Sequence, residues 1–175
     1  MNFELFSFIL MLFIHCCHLK HHRVTKFECG TSYKTISKLK CWTRAFDRRN
    51  PILNVEIFLN RKVNELCVSY MRFHKIISNS NFERNVDVEN VEFCHALSTA
   101  NSIPLMQPTL NWFRSLNQNI LNVCNSTGFL SFYNISINGG PLTAISPNGY
   151  YLAYIKFFDK SDENVFSFNI SSILT

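Results

Sequence analysis

Apolar and polar residues alternate along much of the chain. Phe166, Phe168, Ile170 and Leu174 fall on one parity of residues 165–174, and Val165, Ser167, Asn169 and Ser171 on the other. A period of two puts such sets on opposite faces of a β-strand. At 129–137 the same reading puts Phe129, Tyr133, Ile135 and Ile137 together and turns Asn134 away. Further runs rich in Val, Ile, Phe and Tyr cover 24–29, 35–46, 52–59, 63–76, 84–94 and 150–158, and each reads as a strand. Asn60-Arg61 between two of them reads as the turn of an antiparallel hairpin. Within 63–76 both faces carry apolar groups: Leu66, Val68 and Tyr70 on one, Cys67, Met71 and Phe73 on the other.

One segment breaks the period. Pro108 opens a stretch in which Leu110, Phe113, Leu116 and Ile120 recur at helical spacing. Proline suits a first helical turn, where its missing N–H costs nothing. The spacing predicts one short helix near 108–121. Asn138-Gly139-Gly140 and Ser146-Pro147-Asn148-Gly149 are turn signals. Eight strands and one helix, with no repeat or linker, predict a mainly β chain folded as an antiparallel, immunoglobulin-like β-sandwich. A single domain over 24–175 follows.

The N-terminal segment stands apart. Phe8 to Ile14 is an unbroken apolar run, and no charge follows Glu4 until Lys20. A bilayer span needs about 20 such residues. The shorter run fits the core of a secretory signal peptide over 1–20, cleaved between Cys16 and Arg23. The other reading is a short N-terminal core helix. Export predicts an oxidising compartment, and a secreted, extracellular protein. Cys29, Cys41, Cys67, Cys94 and Cys124 remain after cleavage, an odd number that leaves one thiol over. Asn125, Asn134 and Asn169 each open a glycosylation sequon. Asn134 and Asn169 both fall on the polar side of the strand alternation.

Composition limits the chemistry. The chain is 47% hydrophobic and 17% charged, enough apolar matter for a core and too much for disorder. The net charge of +5 comes from dispersed basic residues, not a dense stripe interleaved with aromatics, so no nucleic-acid partner is expected. The acidic group Glu83, Asp87, Glu89 and Glu92 reads as a solvated edge, with Asp87 and Glu89 sharing a face with Val91. His74 and His95 are too few for a histidine metal site. With no nucleophile elbow or phosphate loop, no catalysis, metal or cofactor is expected.

Several pieces fall in a recognisable order. Val24-Thr25-Lys26-Phe27-Glu28-Cys29 is followed by Lys40-Cys41, then Val86-Asp87-Val88 and Glu92-Phe93-Cys94. Trp112-Phe113 in the expected helix, Cys124, and Pro147-Asn148-Gly149-Tyr150-Tyr151 complete it. This order resembles a family of small secreted insect proteins of unknown function, related to the CheB proteins of chemosensory hairs. That family is similar to the ML (MD-2-related lipid-recognition) superfamily. The resemblance implies a cup-like β-sandwich that holds a lipid or other small hydrophobic ligand between its sheets, without catalysis. It also implies a chemosensory setting with a membrane receptor. Cys29, Cys41, Cys94 and Cys124 match the family cysteines, and Cys67 lies outside the pattern.

Four cysteines allow three pairings. The favoured one joins Cys94 to Cys124 around the helix and Cys29 to Cys41 across a first hairpin. Cys67 is then a free thiol or the link of a dimer, and the chain is otherwise monomeric. For a ligand pocket the candidates are Trp112, Phe113, Phe157, Phe158, Phe166 and Phe168. The competing reading is an extracellular protein–protein module with a solid core and no ligand.

Overall fold

The computed structural model describes residues 22–32, 34–45, 51–63, 65–76, 81–98, 127–137 and 146–175. The expected signal segment, the expected helix near 108–121, Trp112, Phe113, Cys124 and Asn125 lie outside these residues. Among the described residues there are eight strands: β1 (His22–Thr31), β2 (Ile36–Ala45), β3 (Pro51–Leu59), β4 (Cys67–Lys75), β5 (Glu83–Glu92), β6 (Gly128–Ser136), β7 (Gly149–Phe158) and β8 (Asn164–Leu174). They form two antiparallel sheets. The larger has the order β1-β8-β7-β4-β5, the smaller β2-β3-β6. A short helix, α1 (Phe93–Ser98), runs on directly from β5. Periodicity had extended that strand to residue 94, but the Phe93 N–H leaves the ladder and donates to the Leu66 carbonyl at 2.8 Å.

Two expected hairpins are instead passages between sheets. β3 belongs to the smaller sheet and β4 to the larger, so residues 60–66 are a crossover, not a turn. Its apolar residues drive the crossing: Val63 and Leu66 are buried in the core, and the Asn60 N–H donates to the Thr35 carbonyl at 2.9 Å. β1 and β2 likewise lie in different sheets. The Cys29–Cys41 disulfide, with Cα atoms 6.1 Å apart, therefore staples the sheets together. The two sheets come closest along β1 and β2.

The face assignment for 129–137 is corrected as well. Leu130 is buried and Phe132 packs on the core, whereas Phe129 and Tyr133 are exposed. A β-bulge separates the halves of the strand: Val55 faces Phe132, but Leu53 faces Ile135, so β6 has one extra residue. Asn134 takes a left-handed φ of 62° there, and its N–H donates to Asn54 Oδ1 at 3.1 Å. One inserted residue flips every later side chain to the other face. A bulge also corrects the acidic strand. Val91 pairs with Val68 and Val88 with Tyr70, with Asn90 at φ 54° between them. Asp87, opposite Met71, faces away from Val91 and pairs with Arg84.

β4 lies between β7 and β5 and carries apolar groups on both of its faces. Val68 joins the core between the sheets. On the outer side Phe73 meets Tyr154 edge to face at 5.8 Å, under the Arg84 guanidinium. Ile36, Ile57 and Leu59 are fully buried at one end of the sandwich, with Val68, Phe157 and Phe166, and Leu174 and Tyr151 are as deeply buried at the other. Among the described residues no helix is long and apolar enough to cross a membrane.

Candidate functional site

The register of the larger sheet aligns three rows on its inner face. β4 contributes Val68, Tyr70, Arg72 and His74. Opposite them on β7 stand Phe157, Ile155, Ala153 and Tyr151. β8 adds Phe166, Phe168, Ile170 and Ser172. The rows run from an aromatic end to a polar end.

At the aromatic end Phe157 stacks on Phe166 with ring centroids 4.4 Å apart, and Phe93 meets Phe157 edge-on at 5.1 Å. Phe168 closes the group at 5.5 Å from Phe166, and Phe27 of β1 packs against Phe168. Three of the candidate pocket rings, Phe157, Phe166 and Phe168, thus meet. Phe158 does not join them. It pairs with Cys67 and faces the other side of the sheet, beneath the Lys156 ammonium. Between the aromatic end and the polar end, burial falls off. Phe27, Leu39, Phe132, Ile155 and Phe168 are only partly buried, although all pack on the core.

At the polar end four side chains are tied together. The Arg72 guanidinium lies over the Tyr151 ring at 5.3 Å, and its Nε–H donates to Asn85 Oδ1 at 3.2 Å. His74 stacks on Tyr151 at 4.7 Å, and the Tyr151 hydroxyl donates to the Pro147 carbonyl. Arg72, His74, Tyr151 and Ser172 are all buried. Burial pushes the Tyr70 and Tyr151 phenols up, with the nearby Arg72 charge opposing it. Sequence reading missed this cluster. The signal was the parity of β4, which extends from Leu66, Val68 and Tyr70 straight to Arg72 and His74.

Other expected positions fall on the surface. Asn134 and Asn169 are exposed. Cys94 is disulfide-bonded. Cys67 is a free, half-buried thiol beside a surface hollow of about 450 Å³ that Phe158, Lys156 and Asp159 help to line. Burial pushes that thiol up, and the carboxylates of Glu92 and Asp159 add to the effect. On the outer face of the smaller sheet the Tyr133 hydroxyl donates to Glu56 at 2.9 Å. That bond, ahead of Lys38 and Lys40, holds the Glu56 carboxyl low.

No protein-family model and no curated protein matches the chain. Among solved structures, it is similar to the crystal structure of a Niemann-Pick type C2 protein from the Japanese carpenter ant. The identity is 9% and the TM-score 0.32, over 89% of this chain and 93% of that one.

Proposed function

We propose that this protein is a secreted, non-enzymatic carrier that holds a small hydrophobic molecule between its two sheets. The carrying observation is the dip in burial at the middle of the inner face of the larger sheet, between two buried ends. A sandwich filled by its own side chains buries its middle rows as fully as its ends. Here the middle rows keep large apolar groups half-buried, among them Phe168, Ile155 and Phe132, while the smallest side chain of the β7 row, Ala153, stands at the centre. An apolar guest lying there gains dispersion contacts and removes that surface from water. Phe157, Phe166 and Phe168 form one wall of the shelter in this reading, and Trp112 and Phe113 complete it.

Export through the segment 1–20 and glycans on Asn125, Asn134 and Asn169 belong to the same reading, as does a Cys94–Cys124 bridge. The likeness of the cysteine order to the insect family extends it to delivery of a lipid or pheromone-like ligand to a membrane receptor in chemosensory tissue. Saturable uptake of 1-N-phenylnaphthylamine by the secreted protein tests the core claim. Wild type takes up the dye and Ala153→Trp, which fills the centre of the row, loses it. Uptake unchanged by the tryptophan overturns the location.

A second reading has one observation in its favour. Cys67 is a free thiol beside a surface hollow, which suits a protein–protein module joined through that cysteine. A dimer on a non-reducing gel that Cys67→Ser abolishes, with no dye uptake, would favour it.

A further inference from the structure

We infer that the ligand is an anionic amphiphile whose head is gripped by Arg72, with its tail running toward Phe157 and Phe166. The inference rests on the carrier reading and names the class of ligand. Arg72 is only 8% exposed and stands on the inner face of β4. A guanidinium stays protonated at any physiological pH, so a positive charge is fixed in that interior. A buried charge calls for a counter-charge.

Among the described residues the chain supplies none. The ion pairs among the described residues use Lys26, Lys38, Arg61, Arg84, Lys156 and Lys160 as cations, never Arg72. Only Glu4 and Asp47 of the chain's 12 acidic residues lie outside the described part. Segments 99–126 and 138–145 contain no Asp or Glu. The groups that do face Arg72 are neutral. Asn85 accepts its Nε–H, the Tyr70 phenol is a close neighbour, and the Tyr151 ring covers one face. Val86 and Ala153 oppose it on the neighbouring strands. Much of the five-donor fork remains for a carboxylate or a phosphate monoester, whose paired oxygens match it. Ala153 leaves room beside it.

The geometry sets the length of the guest. Arg72 and Val68 are four residues apart on a regular strand, about 13 Å at ~3.3 Å per residue. That is the reach of a medium-length acyl chain, and it ends at the Phe157–Phe166 stack.

The test compares cis-parinaric acid with its methyl ester, which keeps the tail and removes the charge, on the delipidated full-length secreted protein. The acid binds about tenfold tighter, about 1.4 kcal/mol. Arg72→Met brings the acid down to the level of the ester and leaves the ester unchanged. Equal binding of acid and ester, or equal loss of both in Arg72→Met, overturns the inference and leaves the carrier reading standing. Failure of both probes to bind overturns both. If Arg72→Met does not fold, the wild-type ratio decides alone. Dodecanoate and dodecyl phosphate compete as the two possible heads, and the stronger competitor identifies which is gripped. Equal displacement by dodecanol contradicts the inference.

Discussion

Gly149 lies so close to His74 that a Cβ added at residue 149 would fall 2.6 Å from the imidazole Nε2 and 2.4 Å from the Lys75 carbonyl oxygen. Its φ of 152° is one that side chains rarely adopt. The glycine of the Pro147-Asn148-Gly149-Tyr150 turn is therefore what lets β7 begin against the polar end of β4. Gly149→Ala is expected to lower the unfolding free energy by about 2–3 kcal/mol, read from the urea midpoint. Adding His74→Ala recovers little, because the Lys75 carbonyl is backbone and stays in place. Full rescue by the second substitution would contradict this.

The staple between the sheets makes a second expectation. Cys29 and Cys41 close a loop of 12 residues, which a chain-entropy model values at about 3 kcal/mol. The Cys29→Ala, Cys41→Ala double variant should lose about that much in chemical denaturation. A loss under about 1 kcal/mol would say that the β1–β2 edge is held without the bond.

Leu130 and Phe129 test the face of β6. Leu130→Ala should cost about 2–5 kcal/mol, as deletion of a buried leucine does. Phe129 is 53% exposed, and Phe129→Ala should stay within about 0.5 kcal/mol. The reverse order would restore the parity read from sequence.

That strand marks where sequence stopped being legible. All eight strands announced themselves, because alternating Val, Ile, Phe and Tyr cannot satisfy any other period. Which strands pair did not. Asn60-Arg61 has the composition of a hairpin turn, and only the burial of Val63 and Leu66 on crossing reveals a change of sheet. Bulges at Asn134 and Asn90 are invisible too, since one extra residue needs only a left-handed asparagine, and asparagines abound in this chain. Along the β4 inner row, Tyr70 continues to Arg72 and His74, polar residues that alternation alone assigns to solvent. The rings Phe157, Phe166 and Phe168 were legible as a group. Phe158 was not separable from its neighbour, because adjacent residues on a strand face opposite ways while sharing one composition.

Tyr70 and Tyr151 contribute to the pH dependence on the alkaline side. Burial raises both phenols above the ordinary 10.0, so the unfolded chain ionises first as pH rises. Their contribution is fully present below pH 10.0 and is lost as pH climbs through the folded values. Absorbance at 295 nm should show a late phenolate step that accompanies unfolding. In Tyr70→Phe that step shrinks and stability above pH 10.0 improves relative to wild type. A phenolate titration completed before unfolding would contradict the burial of these rings.

Cys67 should react slowly. Its thiol is pushed up by burial, then by Glu92 and Asp159, and only the thiolate is nucleophilic. Iodoacetamide at neutral pH should label it more slowly than it labels glutathione, with the gap closing on unfolding in urea. Labelling as fast as glutathione would return Cys67 to the role of an exposed linking thiol.

The central claim is that a guest occupies the space between the sheets. Organic extraction and mass spectrometry of the protein purified from a eukaryotic secretion medium measure this most directly. The account predicts a co-purifying hydrophobic molecule near one per chain, lost in Ala153→Trp. An extract from wild type no richer than that of Ala153→Trp, from protein that is folded and fully secreted, would contradict it.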